Sequence, residues 1–523
     1  MNQADLLAFL STPAAFGAGG DRVERIETHI SVVFLVGERA FKLKRAVRLP
    51  YVDYSTPARR KTCCEEEVRL NRRTAPDLYR GVVPVTQSAA GVLRIGGTGT
   101  PVDWLVEMRR FDQDGLLDAV ARRGGLDVDL AARIGVAAAS LHAGAAVRHD
   151  HGAASATQWV IDENDAELSA AGAAVSQAAR ARLHAASTAA LRRHADLLED
   201  RRVHGWVREC HGDLHLRNIF LAGTQPVIFD CIEFNDELSC IDVLYDLAFV
   251  VMDLVHRGLA PQANAALNAW LERLPQYDAL GLLPLFLSCR AAIRGKILIA
   301  AAGLADDSAR IASLHREAQG HLARAVEFMA PAAGAIVAVG GLSGSGKSTL
   351  ARRLAPLVGR TPGAIVLRSD VLRKRRFGIE PKRGFGVEPA ERLPDAAYTA
   401  DVTAGVYEEL VRSARAAARA GHVAIVDAVA GTEAQRAAIR DAAAVEGVPF
   451  IGLWLEAPLE VMETRLAARR ADASDATVAV LRQQRRHTSV PEDWEHVDAA
   501  QTADRVADAA LARVTRRGLR HAA

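Results

Sequence analysis

The stretch Gly341-Leu342-Ser343-Gly344-Ser345-Gly346-Lys347-Ser348 constrains the fold of this chain more than any other. It fits G-x-x-x-x-G-K-[ST], follows the apolar run Ile336 to Val339 and opens a helical pattern, Thr349 to Leu357. That order demands strand, tight loop and helix. Glycines let backbone N–H groups turn inward, and the helix N-terminus adds its partial positive charge to the space they enclose. Three more strand-like runs, Ala364 to Leu367, Val423 to Val426 and Phe450 to Leu455, are each followed by a helical pattern. The alternation predicts an α/β domain over 335–523, a parallel sheet with helices on both faces.

The loop chemistry is phosphate chemistry. Lys347 is placed to reach the β- and γ-phosphates of ATP, and the Ser348 hydroxyl to complete a Mg2+ shell. Gly341, Ser343, Gly344, Ser345, Gly346 and Thr349 complete the expected nucleotide contacts. Asp427 closes its apolar strand, the position of a magnesium-water ligand, and Asp370 follows another strand at the same sheet edge, where ligands bind. Either acid also suits a helix N-cap. Arg465 and Arg469, four apart, share a helix face and with Arg470 are read as closing over the nucleotide, against the plainer reading of a solvated basic face.

Upstream, residues 23–108 read as short strands (Ser31 to Val36, Arg39 to Leu43, Val82 to Thr86, Leu105 to Met108) around one helix near 57–74. Residues 128–330 are mostly helical, with long stretches near 165–200 and 283–328 and a β-like insert from Cys210 to Phe234. The first part, 1–330, is therefore expected to be α+β: a β lobe at about 20–108 and a helical lobe at about 112–330. The seam is Ala330-Pro331-Ala332-Ala333-Gly334.

In that part His211-Gly212-Asp213-Leu214-His215-Leu216-Arg217-Asn218 sets Asp and Asn five apart, and Asp230 ends the strand-like Pro226 to Phe229. One Asp at an acceptor hydroxyl, with Asn and Asp around magnesium, is what phosphoryl transfer needs. Asp213 is read as the proton acceptor, and Asn218 and Asp230 as metal ligands. A phosphate-binding lysine should come from the β lobe, and with only seven lysines in the chain Lys42 and Lys44 stand out. Strand period two gives both the same face and leaves both candidates; Lys42 is favoured, with Lys44 kept as second choice. Its partner is sought in Glu65-Glu66-Glu67, with Glu67 preferred.

These residues resemble two known groups. Residues 25–330 resemble the aminoglycoside phosphotransferase family, a two-lobed branch of the protein-kinase-like fold. The likeness rests on His211 to Asn218, Asp230 and Asp246-Leu247-Ala248, whose Asp the resemblance implies braces the catalytic loop. No glycine-rich loop precedes Lys42, a departure from the family's grip on phosphate. Cys231-Ile232-Glu233 follows the aspartate where protein kinases have Phe-Gly, and no long activation segment follows, which points to small-molecule acceptors. Residues 336–500 resemble small P-loop kinases of the adenylate and gluconate kinase type, including zeta-toxin-like ATPases. That likeness implies that Asp370 contacts the substrate hydroxyl or its magnesium water, that Arg373 meets the acceptor, and that Arg465 and Arg469 are lid arginines. The pairing is similar to bacterial bifunctional aminoglycoside phosphotransferase/ATP-binding proteins.

Composition bounds the rest. The 523 residues allow two to four domains at about 150 each. A formal charge of +2 creates no global field toward nucleic acid or membrane. No apolar run suits a membrane span, Met1 to Gly20 lacks a signal-peptide pattern, and six sparse cysteines show no CxxC, so a cytoplasmic chain is expected. An acidic group (Asp162, Glu163, Asp165, Glu167) would suit a cationic substrate, although acids at a helix start are stabilised anyway. The basic stretch Arg368 to Arg383 would suit an anionic acceptor, but carries only Phe377 and Phe385 for stacking, a weak case for nucleic acid. The expected activity is ATP- and Mg2+-dependent phosphoryl transfer to a small-molecule hydroxyl. The rival is a nucleotide-switched regulatory or toxin-like ATPase without such an acceptor.

Overall fold

A computed structural model describes residues 3–17, 22–379, 393–468 and 474–519. They pack as two compact units, one drawn from 1–126, 141–156 and 198–246, the other from 127–140, 157–197 and 247–523.

In the first unit, six antiparallel strands run in the order Glu24–Glu27, Ser31–Val36, Arg39–Lys44, Thr100–Arg109, Tyr79–Gln87, Leu93–Ile95. Alternation along Arg39–Lys44 divides its side chains between two apolar layers. Phe41 and Leu43 join Leu6, Leu10 and Phe16, so the segment around the helix Gln3–Leu10 covers the outer face. Ala40 joins Cys64, Val68 and Phe220 on the inner face, against the helix Pro57–Asn71. That helix starts cleanly because the Thr56 hydroxyl accepts the Arg59 N–H and Pro57 occupies the first turn, where no N–H is needed. The edge strand Glu24–Glu27 went unread in the sequence because all four residues are exposed and show no alternation.

The expected β-like insert is mostly loop. A hairpin, Ile219–Ala222 with Gln225–Ile228, carries the chain from Asn218 to Asp230. The long helical stretches each break once, into Ala154–Ala170 and Gln177–Val203, and into Leu283–Gly303 and Ser308–Phe328. The acids at 162–167 lie within a helix rather than at its start. Asp165 meets Arg180 at 2.7 Å, Asp162 meets His184 at 3.4 Å, and Glu163 pairs with Lys296, so each of these three acids already has a partner.

In the second unit, five parallel strands run in the order Ile365–Arg368, Val423–Asp427, Ala335–Gly341, Phe450–Glu456, Glu495–Asp498. The last of these was not anticipated. The outer edge of Ile365–Arg368 is closed by two asparagines of the helix Ala260–Arg273. Asn264 and Asn268 donate to the Ala364 carbonyl at 3.0 and 3.1 Å, and Asn268 Oδ1 accepts the Val366 N–H at 2.7 Å. An edge strand is thus sealed by side chains instead of a neighbouring strand. Among the described residues, no helix is long and apolar enough to cross a membrane, and all six cysteines are free thiols.

Candidate active sites

The first site grows from the strand Arg39–Lys44. Lys42 and Lys44 both meet Glu67, which the helix Pro57–Asn71 delivers to the inner face. Lys42 Nζ lies 2.8 Å from Glu67 Oε1 and 2.6 Å from Asp230 Oδ1. Lys44 Nζ lies 2.6 Å from Glu67 Oε2, pairs with Glu233 and stands 3.4 Å from the Tyr54 hydroxyl, which also donates to Glu233. Lys44 and Glu67 are fully buried, whereas Asp230 keeps 41% of its side chain exposed. Burial by itself would lower Lys42 and raise Glu67, but opposite charges outweigh it. Asp230 and Glu67 hold the Lys42 ammonium well above its ordinary pKa, and the two ammoniums hold Glu67 below the usual carboxylate range.

The loop His211 to Asn218 is held from below by Asp246. Its carboxylate accepts the N–H groups of His211 at 3.0 Å and Gly212 at 2.9 Å, and lies 3.0 Å from His142 Nε2. His142, Cys210 and Asp246 stand close enough to suggest a metal cluster, but Asp246 already serves three protein partners. His211 contacts the Phe229 carbonyl through Nε2 at 2.8 Å, and burial lowers its pKa, keeping the ring neutral. Gly212 adopts φ +85°, and a Cβ there would stand 2.8 Å from the Leu238 carbonyl oxygen.

Asp213 and Asn218 meet directly. Asn218 Nδ2 donates to the Asp213 carbonyl at 2.9 Å and to Oδ2 at 3.1 Å, while His215 Nε2 lies 3.2 Å from the same oxygen. Asp230 sits at φ +65°, uncommon for a residue with a side chain, and its N–H donates to the Tyr79 hydroxyl at 3.2 Å. The next N–H, of Cys231, donates to Asn71 Oδ1 at 2.9 Å. Sequence reasoning missed Tyr54, Tyr79, Asn71, His215 and Glu233 as neighbours of this site. Two had a signal: His215 stands inside the loop His211 to Asn218, and Glu233 is a carboxylate three residues after Asp230, noted merely as a departure from Phe-Gly.

The second site forms where Ala335–Gly341 passes into the helix Lys347–Leu354. Gly344 and Gly346 have φ of +84° and +98°, and a Cβ on Gly344 would lie 2.6 Å from the Met462 carbonyl oxygen. The loop is therefore curled tightly under the helix Leu459–Ala467. Lys347 Nζ donates to the Leu342 carbonyl at 3.0 Å, Ser343 and Ser345 are buried, and Ser348 and Thr349 lie in the first helical turn. A Cβ on Gly346 would come within 3.9 Å of an Arg465 guanidinium nitrogen, so Arg465 reaches the loop. Arg469 lies outside the described residues.

Asp427 ends its strand as read, beside Arg368 in the neighbouring strand, whose Nε lies 3.3 Å from Asp427 Oδ2 with both side chains buried. Asp370 is half-buried in the first turn of the helix Ser369–Arg376. Arg373, expected at the acceptor, is buried, donates to the Ala397 carbonyl and to Thr403 Oγ1, and lies over the Tyr398 ring at 5.1 Å. Lys374 is buried too, 2.9 Å from Asp475. Much of the basic stretch is thus occupied internally.

Comparison with known proteins agrees with this architecture. The phosphotransferase enzyme family matches residues 53–283, and the AAA domain family matches residues 336–491. The Mycobacterium tuberculosis protein Rv2004c is 30% identical over 469 residues, spanning 87% of this chain and 88% of its own. A choline/ethanolamine kinase family protein from Mesorhizobium loti aligns with 63% of this chain and 99% of its own, at 16% identity and a TM-score of 0.38. A gluconokinase from Sinorhizobium meliloti 1021 aligns with 36% of this chain and 95% of its own, at 21% identity and a TM-score of 0.26. The chain belongs to the family of Rv2004c, and in it a phosphotransferase domain of the kinase-like fold precedes a P-loop kinase-like domain.

Proposed function

We propose that this phosphotransferase uses ATP and magnesium to phosphorylate a hydroxyl of a small molecule at its first site, within residues 1–330, and that residues 335–523 bind a second nucleotide. The observation carrying the reading is the convergence of Lys42, Glu67 and Asp230 within 2.8 Å, beside a loop in which Asn218 holds Asp213.

In this reading Lys42 holds the phosphates of ATP. Asn218 spends its amide nitrogen on Asp213 and Asp230 spends Oδ1 on Lys42, so each has a further oxygen for a hard cation. Ser348 and Asp427 supply the oxygens in the second domain. Magnesium, when bound there, neutralises phosphate charge. Asp213 takes the acceptor's proton as its oxygen bonds to the γ-phosphorus, the bond to the β-phosphate oxygen breaks, and ADP leaves. Asp370, Arg465 and Arg469 belong to the second site, where Arg465 is set to offset charge on a terminal phosphate.

The test is a screen of the full chain with ATP, magnesium and a metabolite extract, reading newly phosphorylated small molecules. Asp213→Ala should abolish first-site transfer while nucleotide still binds at the P-loop. Substrate-dependent ADP release that survives both Asp213→Ala and Lys347→Ala would overturn the reading.

A further inference from the structure

Gln484 belongs to no motif considered above. It lies on the helix Val478–His487, and its Oε1 accepts the backbone N–H of Ser343, the third residue of the phosphate loop, at 3.0 Å. Backbone N–H groups in such a loop are phosphate donors, so a side chain here occupies a donor of the kind a nucleotide uses.

The position of that donor in the loop can be read from Lys347. Its ammonium rests 3.0 Å from the carbonyl of Leu342, the residue adjoining Ser343. A loop lysine of this kind reaches the β- and γ-phosphates, which puts the Ser343 amide at the terminal-phosphate end. The amides of the first helical turn serve the opposite end.

The helix is seated firmly enough to make the contact meaningful. Leu481, one turn before Gln484, is fully buried and packs with Met462, Leu466 and Leu342. Arg482, on another side, pairs with Glu463 at 2.9 Å. One face of the helix therefore rests on the loop through an apolar contact and a carboxamide together.

Resting on the reading of residues 341–348 as a nucleotide loop, we propose that Gln484 is a positioning residue that reports the terminal phosphate to the helix Val478–His487. With ADP, the bond from the Ser343 N–H to Gln484 persists. With ATP, the γ-phosphate takes the Ser343 N–H, and Gln484 turns its own N–H2 toward a phosphate oxygen. A carboxamide is suited to both states because it carries an acceptor and two donors. A carboxylate accepts the amide equally well but repels phosphate.

The experiment is calorimetric titration of the full chain with a non-hydrolysable ATP analogue and with ADP, each with magnesium. Asp230→Ala is present throughout so that the first site does not contribute. Gln484→Glu should weaken the ATP analogue about tenfold or more, the scale of a like-charge contact in partly screened protein, and ADP no more than about twofold. Gln484→Leu should narrow the preference between the two nucleotides. Equal changes for both nucleotides in both variants, or no change, would overturn the proposal. If Lys347→Ala leaves binding of either nucleotide intact, the phosphate-loop reading itself has failed.

Discussion

Lys44 Nζ lies 2.6 Å from Glu67 Oε2, and neither side chain touches solvent. Lys42 uses the other oxygen of the same carboxylate at 2.8 Å, so two lysines divide the work that strand alternation had left ambiguous. Lys42 alone also meets Asp230, which is partly exposed. Lys44→Met should act mainly on stability, costing about 3–5 kcal/mol because Glu67 and Glu233 lose a buried counter-charge. Lys42→Met should leave most stability intact and reduce first-site transfer by about 100-fold or more, as losing a charged transition-state contact does. Thermal melts and phosphoryl-transfer rates on both variants check this. An unshifted melt for Lys44→Met would contradict it.

Asp246 supports the loop carrying Asp213 through two backbone N–H groups. Asp246→Asn keeps the size but replaces one acceptor oxygen with a donor. At least one amide would lose its partner, at about 1–3 kcal/mol. Amide hydrogen exchange at His211 and Gly212 should accelerate, with transfer falling in parallel. Unchanged exchange would show that the loop holds itself.

Asn268→Ala removes the partner of the Val366 N–H and one partner of the Ala364 carbonyl, both at a buried sheet edge. The expected loss is about 1–3 kcal/mol in denaturant unfolding. By the same argument, residues 335–523 produced alone would expose the edge of Ile365–Arg368 and should self-associate in light scattering more than the full chain does. A monomeric, well-folded fragment would refute that expectation.

Acid should destabilise the chain through buried histidines. Burial, reinforced by His256, pushes His321 down to about 3, and burial with Arg360 does the same to His422, also about 3. Unfolded, both titrate near about 6.5. Between those values the unfolded chain binds protons that the folded chain does not, so stability falls as pH drops from about 6.5 toward about 3. Each histidine contributes a slope approaching about 1.4 kcal/mol per pH unit in that window. Urea midpoints at about pH 7 and about pH 5 should differ less in His321→Phe than in the parent. An identical difference would remove His321 from the account.

The phosphate loop and the parallel strands around it were legible in the sequence because they are local: apolar run, glycine turn and helix follow one another without a break. Lys42, Lys44 and Glu67 were legible as a group, since period two gives the lysines one face and the following helix carries the acids. Their division was not, because it depends on Asp230 and Glu233, about 190 residues away. Gln484 was invisible for the same reason, as nothing near it hints that its carboxamide reaches Ser343, 141 positions earlier. The helix breaks at 171–176 and 304–307 were lost in alanine-rich sequence that stays helix-friendly on both sides.

The shared carboxylate of Glu67 also limits how this protein can be controlled. Swinging the helix Pro57–Asn71 outward would separate Glu67 from both ammonium groups at once, while Lys42 would keep Asp230 and Lys44 would keep Glu233. At about 3–5 kcal/mol for parting Glu67 from its two counter-charges, an outward helix would hold below about 1% of molecules. The assembled first site is therefore expected to dominate, and control is expected to act on what reaches that site rather than on a moving helix.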